Sequence, residues 1–225
     1  MGSNRALVAG KKVAIFDVCD TLYDANTTAG FIEFVGRRAD DSQILRIWRR
    51  WTSRTSPAFY VGAVAARLFS VDVARKRLIG SLRGFHRQEL QRLARDYAAG
   101  PLVERENRRL HERLAEHRRA GERIILLSSS LDVVVEAIAA KLGAQFEASR
   151  LQFVDDVCTG KLKLDLTGRK RAHALRLCGP NTEFHVYTDN RSDLDLLALA
   201  TGMTIVLPRG RRRRWARLDC EYIEL

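Results

Sequence analysis

The sequence predicts an α/β fold, in which a doubly wound parallel sheet is interrupted by an all-helical insertion. Apolar runs of strand length, each bounded by turn residues, recur at residues 13–16, 123–127, 184–188 and 203–207. A helical pattern follows the second run, and strands that alternate with helices are typical of a parallel sheet. Between the first and second runs the strand pattern gives way to helical periodicity, which predicts the insertion.

The insertion is predicted over residues 24–100, and the flanking segments 1–23 and 101–225 form the sheet domain. Its candidate helices are residues 42–51, 58–69 and 88–98. A further helix over residues 103–119, closed by Gly121, leads the chain back into the sheet.

Two more elements are predicted after the second strand. A helix begins with Ser130 as its N-cap and ends at Gly143, and it buries Leu131, Val135, Ile138 and Leu142. Residues 151–154 and 161–164 flank an Asp-Asp…Gly turn, which predicts a β-hairpin.

Composition predicts a globular protein of a reducing compartment. The chain has 225 residues, of which 46% are hydrophobic, so it can bury a substantial core. It has no apolar run long enough to span a membrane, and residues 1–10 lack the apolar centre of a secretory signal, so we expect a cytoplasmic location. The cysteines are too widely spaced for a zinc knuckle or a disulfide framework, which predicts free thiols at Cys19, Cys158, Cys178 and Cys220.

The charge balance predicts an affinity for anions. Lysine and arginine total 39 against 27 acidic residues, which gives a net charge of +12. Nucleic acid, anionic lipid headgroups and phosphorylated metabolites are candidate partners, and solvated arginines on helix faces are the alternative. No recognised nucleic-acid-binding fold accompanies the arginine run at residues 209–214, so we interpret the run as a solvated basic tail or anion patch.

Reactive side chains follow the predicted strands. Asp17, Cys19 and Asp20 come directly after the first strand, Ser128 ends the second and Asp189 follows the third. The carboxyl ends of parallel strands meet at one edge of the sheet, where ligands bind. Carboxylates that converge there would repel one another, so their charges imply a bound cation.

The order of these residues resembles the haloacid dehalogenase (HAD) superfamily of aspartyl-phosphate hydrolases, and most closely its phosphoserine-phosphatase-like branch. Four motifs carry the resemblance: Asp17-Val18-Cys19-Asp20-Thr21, Ser128-Ser129-Ser130, Gly168-Arg169-Lys170-Arg171 and Asp189 with Asp193. The resemblance spans nearly the whole chain, and it implies a Mg²⁺-dependent phosphatase whose helical insertion is a cap over the strand ends.

The resemblance also implies a nucleophile and a metal site. Asp17 is the nucleophile that forms an aspartyl-phosphate. Mg²⁺ is held by Asp17, by the backbone carbonyl of Cys19 and by Asp189, and Asp193 either joins them or orients bound water. The alternative for Asp193 is a charge that the N-terminus of a helix attracts.

Phosphate contacts are implied for the second and third motifs. Ser128 matches the phosphate-binding serine of the family, and Ser129 follows it just before a helix whose N-terminal amides favour anions. Lys170 supplies the cation that neutralises nucleophile and phosphate. Arg171 is the alternative to Lys170, because it fits the helical register about as well. An arginine there would contact the anion through two N–H groups of its forked guanidinium.

The first motif departs from the family at Cys19. The family usually has an Asp there, which acts as acid for the leaving group and then as base for water. General acid-base catalysis is worth about 10²–10⁴-fold in rate, so we expect a slow enzyme with a persistent phospho-intermediate. Asp20, at a position that usually holds Gly, takes over only if the loop is reshaped, and the Cys19 thiol is a poorer acid.

The insertion supplies candidate substrate contacts. Asn26, Thr27 and Glu33 lie where this branch places such residues at the cap entrance, and the alternative is a helix start capped by Thr27 or Thr28.

Two apolar features of the insertion have alternative interpretations. Trp48 and Trp51 share an apolar face at helical spacing, and the alternative is that they grip an anionic substrate or headgroup. Residues 57–69 predict a buried or interfacial helix, with peripheral membrane docking as the alternative.

We therefore expect a phosphatase that hydrolyses a phosphorylated, acidic small molecule. Cys19 leaves two alternatives open: a catalytically degraded protein that binds a phosphorylated ligand or partner, and a phosphotransferase that passes the phosphoryl group to a hydroxyl. Nucleic-acid binding is a more distant alternative, and the sequence leaves the oligomeric state open.

Overall fold

In a computed structural model, which describes residues 12–69, 72–179, 182–207 and 218–224, seven strands form one sheet. They are β1 (Val13–Phe16), β2 (Arg123–Leu131), β3 (Gln145–Val154), β4 (Val157–Leu164), β5 (Phe184–Thr188), β6 (Gly202–Leu207) and β7 (Glu221–Glu224). Their order is β4-β3-β2-β1-β5-β6-β7, and neighbouring strands run parallel except β3 and β4. The predicted parallel sheet is confirmed, with an antiparallel strand at one edge.

The same residues contain nine α-helices. They are α1 (Thr27–Arg38), α2 (Ser42–Thr52), α3 (Pro57–Phe69), α4 (Val73–Gly80), α5 (Arg87–Ala99), α6 (Arg108–Arg119), α7 (Asp132–Leu142), α8 (Lys170–Cys178) and α9 (Leu194–Leu197). Helices α1 to α5 lie between β1 and β2 along the chain, as predicted for the insertion. The three helices predicted there are α2, α3 and α5. Helix α4 was not predicted, and α1 was anticipated only as a helix start near Thr27 or Thr28.

Apolar side chains cover both faces of the sheet. Ala14 and Phe16 of β1 enter one apolar cluster and Val13 and Ile15 enter another, because successive side chains of a strand point to opposite faces. The first cluster also contains side chains of α1, α5 and α7, and the second contains side chains of α8 and α9. All four β1 side chains are buried, so the doubly wound arrangement is confirmed.

The predicted start of α7 is wrong. Ser130 is not its N-cap, because β2 continues to Leu131, whose backbone pairs with Ser149 of β3. The helix begins at Asp132 and ends at Gly143, whose φ of 55° is the left-handed conformation that glycine adopts readily. Ser130 is thereby left at the end of the strand, where its side chain is free to contact the first motif.

The predicted helix over residues 103–119 is divided in two. A 3₁₀ turn at Val103–Arg105 precedes α6, and Glu106 between them has extended dihedral angles and pairs with Tyr23. The chain leaves α6 through Gly121, as predicted, with a φ of 73°.

Strands β3 and β4 form the predicted hairpin. The turn residues Asp155 and Asp156 have φ values of 48° and 60°, a conformation that Asp tolerates better than most residues. The hairpin also contacts the insertion, because the backbone N–H of Cys158 donates to the carbonyl of Phe85 at 2.8 Å.

Helix α3 has an exposed apolar side. Tyr60, Val61 and Val64 are 58%, 62% and 54% exposed, so this part of the helix is not buried, and an interfacial position stays a prediction. Among the residues described here, no helix combines the length and apolar character needed to cross a membrane. The arginine run at residues 209–214 and the segment 1–10 lie outside the described residues.

Candidate active site

Three predicted site residues meet at the carboxyl ends of neighbouring strands. Asp17 directly follows β1, Ser128 lies near the end of β2 and Asp189 directly follows β5. Strand β1 lies between β2 and β5, so these residues share one edge of the sheet. The backbone N–H of Asp17 donates to the carbonyl of Tyr187 at 2.9 Å, which fixes the end of β1 against β5.

A buried lysine joins two carboxylates at this edge. Nζ of Lys170, the first residue of α8, donates to Oδ2 of Asp17 at 2.6 Å and to Oδ2 of Asp193 at 2.8 Å. All three side chains are buried. Burial by itself lowers the pKa of Lys170, but the attraction of Asp17 and Asp193 outweighs it and raises the pKa above its ordinary value. The ammonium group is therefore charged at neutral pH.

Arg171, the alternative to Lys170, is exposed on α8. Within the described part of the chain, no hydrogen bond or ion pair joins it to Asp17 or Asp193. Adjacent positions on a helix differ by about 100° in direction, so α8 presents only one of the two cations to the strand ends. The structure brings Lys170 into the predicted site and leaves Arg171 outside it.

Asp193 is held by two donors. Its Oδ2 accepts from Lys170 and also from the hydroxyl of Thr188 at 2.8 Å. The hydroxyl of Ser192 lies 3.5 Å from Oδ1. With Oδ2 occupied in this way, the carboxylate is placed to position Lys170.

Asp189 is a half-buried carboxyl group at the same edge of the sheet. Its Oδ1 accepts from the hydroxyl of Thr21 at 3.2 Å, and its backbone N–H donates to the same hydroxyl at 3.1 Å. Burial raises the pKa of Asp189 to about 7, and the nearby charges of Asp17 and Asp20 contribute. No ion pair among the described residues includes Asp189. Thr21 was not predicted as a site residue, although it belongs to the first motif and could have been identified from that position.

The donors around Asp189 fit a hard divalent cation. Asp17 and Asp189 supply carboxylate oxygens, and Cys19 can supply a backbone carbonyl. A cation there would relieve the repulsion that raises the pKa of Asp189. In the described ranges, no group of three or more His, Cys, Asp and Glu side chains is arranged to hold a metal. A site with few oxygen donors from the protein suits Mg²⁺, because this ion keeps several of its water ligands when it binds.

Cys19 lies in a small ring of hydrogen bonds. Its Sγ is 2.9 Å from the hydroxyl of Thr27 and 3.0 Å from the hydroxyl of Ser130, and the two hydroxyls contact each other. The backbone N–H of Thr27 donates to Sγ at 3.3 Å. Burial, and then the charge of Asp17, raise the pKa of the Cys19 thiol, so the thiol is protonated at neutral pH.

Asp20 adopts a conformation that favours glycine. Its φ is 51°, in the left-handed region that glycine adopts readily. The charge of Asp20 helps to raise the pKa of Asp189, so Asp20 lies on the Asp189 side of the site.

Arg75 of α4 was not predicted as a site residue. It connects the insertion to residues 128–130, which we call the serine segment. Its Nη2 donates to the carbonyl of Ser129 at 2.6 Å and to the hydroxyl of Ser149 at 3.1 Å. Its Nη1 donates to both carboxylate oxygens of Asp165 at 2.9 Å. Ser128 is buried beside this contact, and its Oγ accepts from the backbone N–H of Ser130 at 3.3 Å. In so arginine-rich a sequence, no local pattern distinguishes Arg75.

An open cavity of about 1040 Å³ lies between the strand ends and the insertion. Its wall at the strand ends includes Cys19, Ser129, Ser130 and Asn190. Its wall on the insertion carries five aromatic side chains: Phe34, Trp48, Trp51, Phe59 and Tyr97. The cavity therefore joins the predicted catalytic edge to the helices of the insertion.

Two of the three predicted substrate contacts line this cavity. Asn26 and Glu33 are on its wall, whereas Thr27 is fully buried and contacts Cys19 instead. The N-cap of α1 is Asn26, whose Oδ1 accepts from the N–H of Ala29 at 3.0 Å, so neither Thr27 nor Thr28 caps the helix.

Comparison with known proteins gives a family and a fold. The sequence profile described as haloacid dehalogenase-like hydrolase matches residues 14–198. A search of curated proteins found no match.

Solved structures share the fold at low identity. A protein of unknown function from Bordetella pertussis Tohama I has a TM-score of 0.77 and 18% identity, over 95% of this chain and 98% of its own. A HAD family hydrolase from Salmonella enterica serovar Typhi has a TM-score of 0.63 and 16% identity, over 94% and 66%. A phospho-aspartyl intermediate analogue of phosphoserine phosphatase has a TM-score of 0.54 and 16% identity, over 87% and 86%.

Proposed function

The chain belongs to the haloacid dehalogenase-like hydrolases, and from that premise we propose that it is a Mg²⁺-dependent phosphatase. We propose that it hydrolyses a phosphate monoester through an aspartyl-phosphate formed on Asp17. The observation that carries the proposal is the buried contact of 2.6 Å between Lys170 and Asp17, at the edge that also holds Ser128 and Asp189. A buried carboxylate that is paired with an ammonium group, two residues before Cys19 of the cavity wall, is suited to approach a phosphate dianion.

In the first half-reaction, a carboxylate oxygen of Asp17 attacks phosphorus. The bond from phosphorus to the substrate oxygen breaks, and the departing alkoxide takes up a proton from solvent water, because position 19 has no carboxylic acid to donate one, and leaves as the alcohol. Lys170 offsets the negative charge shared by Asp17 and the phosphoryl group, and Asp193 holds Lys170 in place. Ser128 and Ser129 bind phosphoryl oxygens from the end of β2.

In the second half-reaction, water attacks phosphorus and inorganic phosphate leaves. The bond between phosphorus and the Asp17 oxygen breaks, so the carboxylate is restored. The proton that water loses has no carboxylate at position 19 to accept it, because Cys19 is a neutral thiol engaged by Thr27 and Ser130. We therefore propose that this half-reaction is slow and that the phospho-intermediate persists.

Mg²⁺ completes the proposed site. Asp17, Asp189 and the backbone carbonyl of Cys19 would hold it, with Asp193 acting through Lys170 or through bound water. When bound, the ion supplies positive charge that offsets the carboxylates and the phosphate.

We propose that the helices over residues 24–100 act as a cap, and that residues 1–23 and 101–225 form the catalytic domain. A cap excludes water during phosphoryl transfer and contributes to specificity. The cavity between α1–α5 and the strand ends supports this division. A cytoplasmic location stays part of the proposal, supported by the free cysteines of the described residues.

The expected acidic substrate has weaker support than the phosphatase. Arg37 pairs with Glu33 at 2.6 Å, and Arg75 pairs with Asp165 at 2.9 Å, so these cations of the cavity wall already have anionic partners. We therefore expect the phosphate group to be the main anionic group of the substrate that the protein contacts.

A second candidate activity follows from the neutral thiol at Cys19. If water is poorly activated, an alcohol bound in the cavity can accept the phosphoryl group from Asp17, which makes a phosphotransferase. Added alcohol would then become phosphorylated while little free phosphate appears. A protein that binds phosphate and metal without any turnover would instead be the catalytically degraded alternative.

The deciding experiment is Mg²⁺-dependent phosphate release from a broad panel of phosphate monoesters. We expect release that chelation abolishes and that Asp17→Asn eliminates, because the amide cannot act as the nucleophile. Asp155→Asn, in the exposed hairpin turn, is the matched control and keeps full activity. A fully active Asp17→Asn variant would refute the proposed mechanism.

A further inference from the structure

We propose that the leaving group of the substrate carries a planar aromatic ring, which the aromatic wall of the cavity receives. This inference rests on the proposed phosphatase function and specifies its substrate class. It is drawn from the size of the cavity, the composition of its wall and the pairing of its charges.

The cavity is much larger than a small phosphate monoester needs. Its volume is about 1040 Å³, which reaches the upper end of the roughly 300–1,000 Å³ typical of pockets for drug-sized ligands. A phosphoryl group and a short alcohol would fill only the part next to Ser129 and Ser130. The remaining volume lies against the helices of the insertion.

The aromatic side chains of the wall come from four helices of the insertion. They are Phe34 of α1, Trp48 and Trp51 of α2, Phe59 of α3 and Tyr97 of α5. None of them belongs to the strand-end wall, so the insertion supplies all five rings of this wall. A substrate that extends from Asp17 into the cavity would place its leaving group among these rings.

The two tryptophans are held in defined positions. Trp48 and Trp51 are three residues apart on α2, so they share one side of the helix. Both are half-buried, pack against the main apolar cluster and line the cavity. Gly62 of α3 lies close to Trp51, since a Cβ built at Gly62 would be 3.4 Å from the ring. Rings held in this way form a preorganised surface for another ring to stack on.

The charges of the wall favour a neutral group over a second anion. Arg37 and Arg75 are in ion pairs with Glu33 and Asp165, and Nε of Arg105 donates to the carbonyl of Asp24 at 2.8 Å. An additional anionic group on the substrate would find the charges of Arg37 and Arg75 already partly offset by these partners. An uncharged aromatic ring gains stacking contacts without breaking any ion pair.

The test compares two esters that differ only in aromaticity. The leaving alcohols of 2-phenylethyl phosphate and 2-cyclohexylethyl phosphate have similar acidity and size, so the chemical step is matched. Ethyl phosphate measures the contribution of the phosphate alone. We expect kcat/KM for the phenyl ester to exceed that for the cyclohexyl ester by about tenfold, mostly through KM, which corresponds to about 1.4 kcal/mol and lies within the range measured for aromatic pairs.

Variants assign the preference to the rings. Trp48→Leu and Trp51→Leu should each reduce the phenyl-to-cyclohexyl ratio several-fold, while Trp48→Phe and Trp51→Phe preserve most of it because a ring remains. Phe146→Leu, at an exposed position of β3 outside this cavity, is the control and leaves the ratio unchanged. Because the measure is a ratio between two substrates, a general loss of folded protein does not alter it.

The same pair of esters can be tested without turnover. Titration of Asp17→Asn with each ester, followed by tryptophan fluorescence, gives the binding preference even if the protein hydrolyses neither compound. Equal binding and equal kcat/KM for the two larger esters would overturn the aromatic proposal and leave the phosphatase intact. A binding preference without Mg²⁺-dependent phosphate release from any monoester would support the aromatic site and refute the phosphatase.

Discussion

At the scale of single residues, Cys19 lies where the proposed reaction needs a group that transfers protons. Its thiol is surrounded by groups that can donate hydrogen bonds: the backbone N–H and hydroxyl of Thr27 and the hydroxyl of Ser130. A carboxylate at this position would find the same donors, and hydrogen bonds to a charged carboxylate hold its pKa down. The surroundings of position 19 would therefore accommodate a carboxylate, which is the acid-base group that cysteine lacks.

We expect Cys19→Asp to increase kcat for phosphate release. The added carboxylate supplies the proton transfer that the thiol does not, and general acid-base catalysis is worth about 10²–10⁴-fold. The measurement is steady-state kinetics with a simple monoester and Mg²⁺, together with the fraction of enzyme trapped as phospho-intermediate, which should fall. Cys19→Ser, which has a similar size but no ionisable group, is the control. An unchanged kcat in Cys19→Asp would show that proton transfer at this position does not limit turnover.

At the scale of secondary-structure elements, α4 and the hairpin β3–β4 hold the insertion against the sheet. Arg75 of α4 reaches Ser129, Ser149 and Asp165, which lie on or after β2, β3 and β4. Gly160 of β4 approaches the insertion so closely that a Cβ there would be 2.9 Å from the carbonyl oxygen of Gly80. These contacts position the insertion relative to Ser128 and Ser129.

Replacing Arg75 with Ala should loosen the serine segment. The change removes hydrogen bonds made by a charged group, which are each worth about 1.5–3 kcal/mol, so we expect a comparable loss in the free energy of unfolding. Hydrogen exchange at residues 128–130 should become faster, and KM for the monoester should rise. Arg77→Ala, at an exposed position on the same helix, should change stability by less than about 0.5 kcal/mol. Equal stability and equal exchange in both variants would contradict this role for Arg75.

Gly160→Ala should destabilise the fold more than Gly168→Ala. Both glycines have positive φ values, 72° and 67°, so each substitution costs about 1–2 kcal/mol of backbone strain. Only at Gly160 does the new methyl group also collide with neighbouring atoms, whereas at Gly168 nothing lies within 4 Å. Chemical denaturation of both variants measures the difference, which we expect to exceed about 1 kcal/mol. A larger loss at Gly168 would mean that the approach of β4 to the insertion is not tight.

At the scale of the whole molecule, the net charge of +12 acts beyond the site itself. A basic protein attracts anionic substrates over a distance that salt shortens, and the ion pairs of the cavity wall do not cancel this overall charge. We therefore expect the charge to contribute to the rate at which a phosphate ester is captured.

We expect kcat/KM for a phosphate monoester to fall as ionic strength rises from about 0.01 to 1 M, while kcat changes little. Over this range the screening length shortens from roughly 30 Å to roughly 3 Å, which removes long-range attraction but not contacts inside the site. Thermal unfolding over the same salt series checks that the fold is retained. A kcat/KM that does not respond to salt would show that the net charge has no part in substrate capture.

The sequence by itself determined the fold class and most of the elements, because hydrophobic periodicity and turn residues are local properties. The strand β1, the hairpin β3–β4 and helices α2, α3 and α5 were predictable in this way. The reactive edge was predictable as well, since Asp17 and Asp189 directly follow strands and parallel strands end together. The family motifs supplied Lys170, although Arg171 could not be separated from it.

Only the tertiary structure decided which side chains face one another. The choice of Lys170 over Arg171 depends on the rotation of α8, and the ring formed by Cys19, Thr27 and Ser130 joins residues 111 positions apart. Arg75 contacts Asp165 across 90 positions, and no local pattern records such a pairing. The physical reason is that periodicity reports whether a side chain is buried, whereas its partner depends on how distant elements pack.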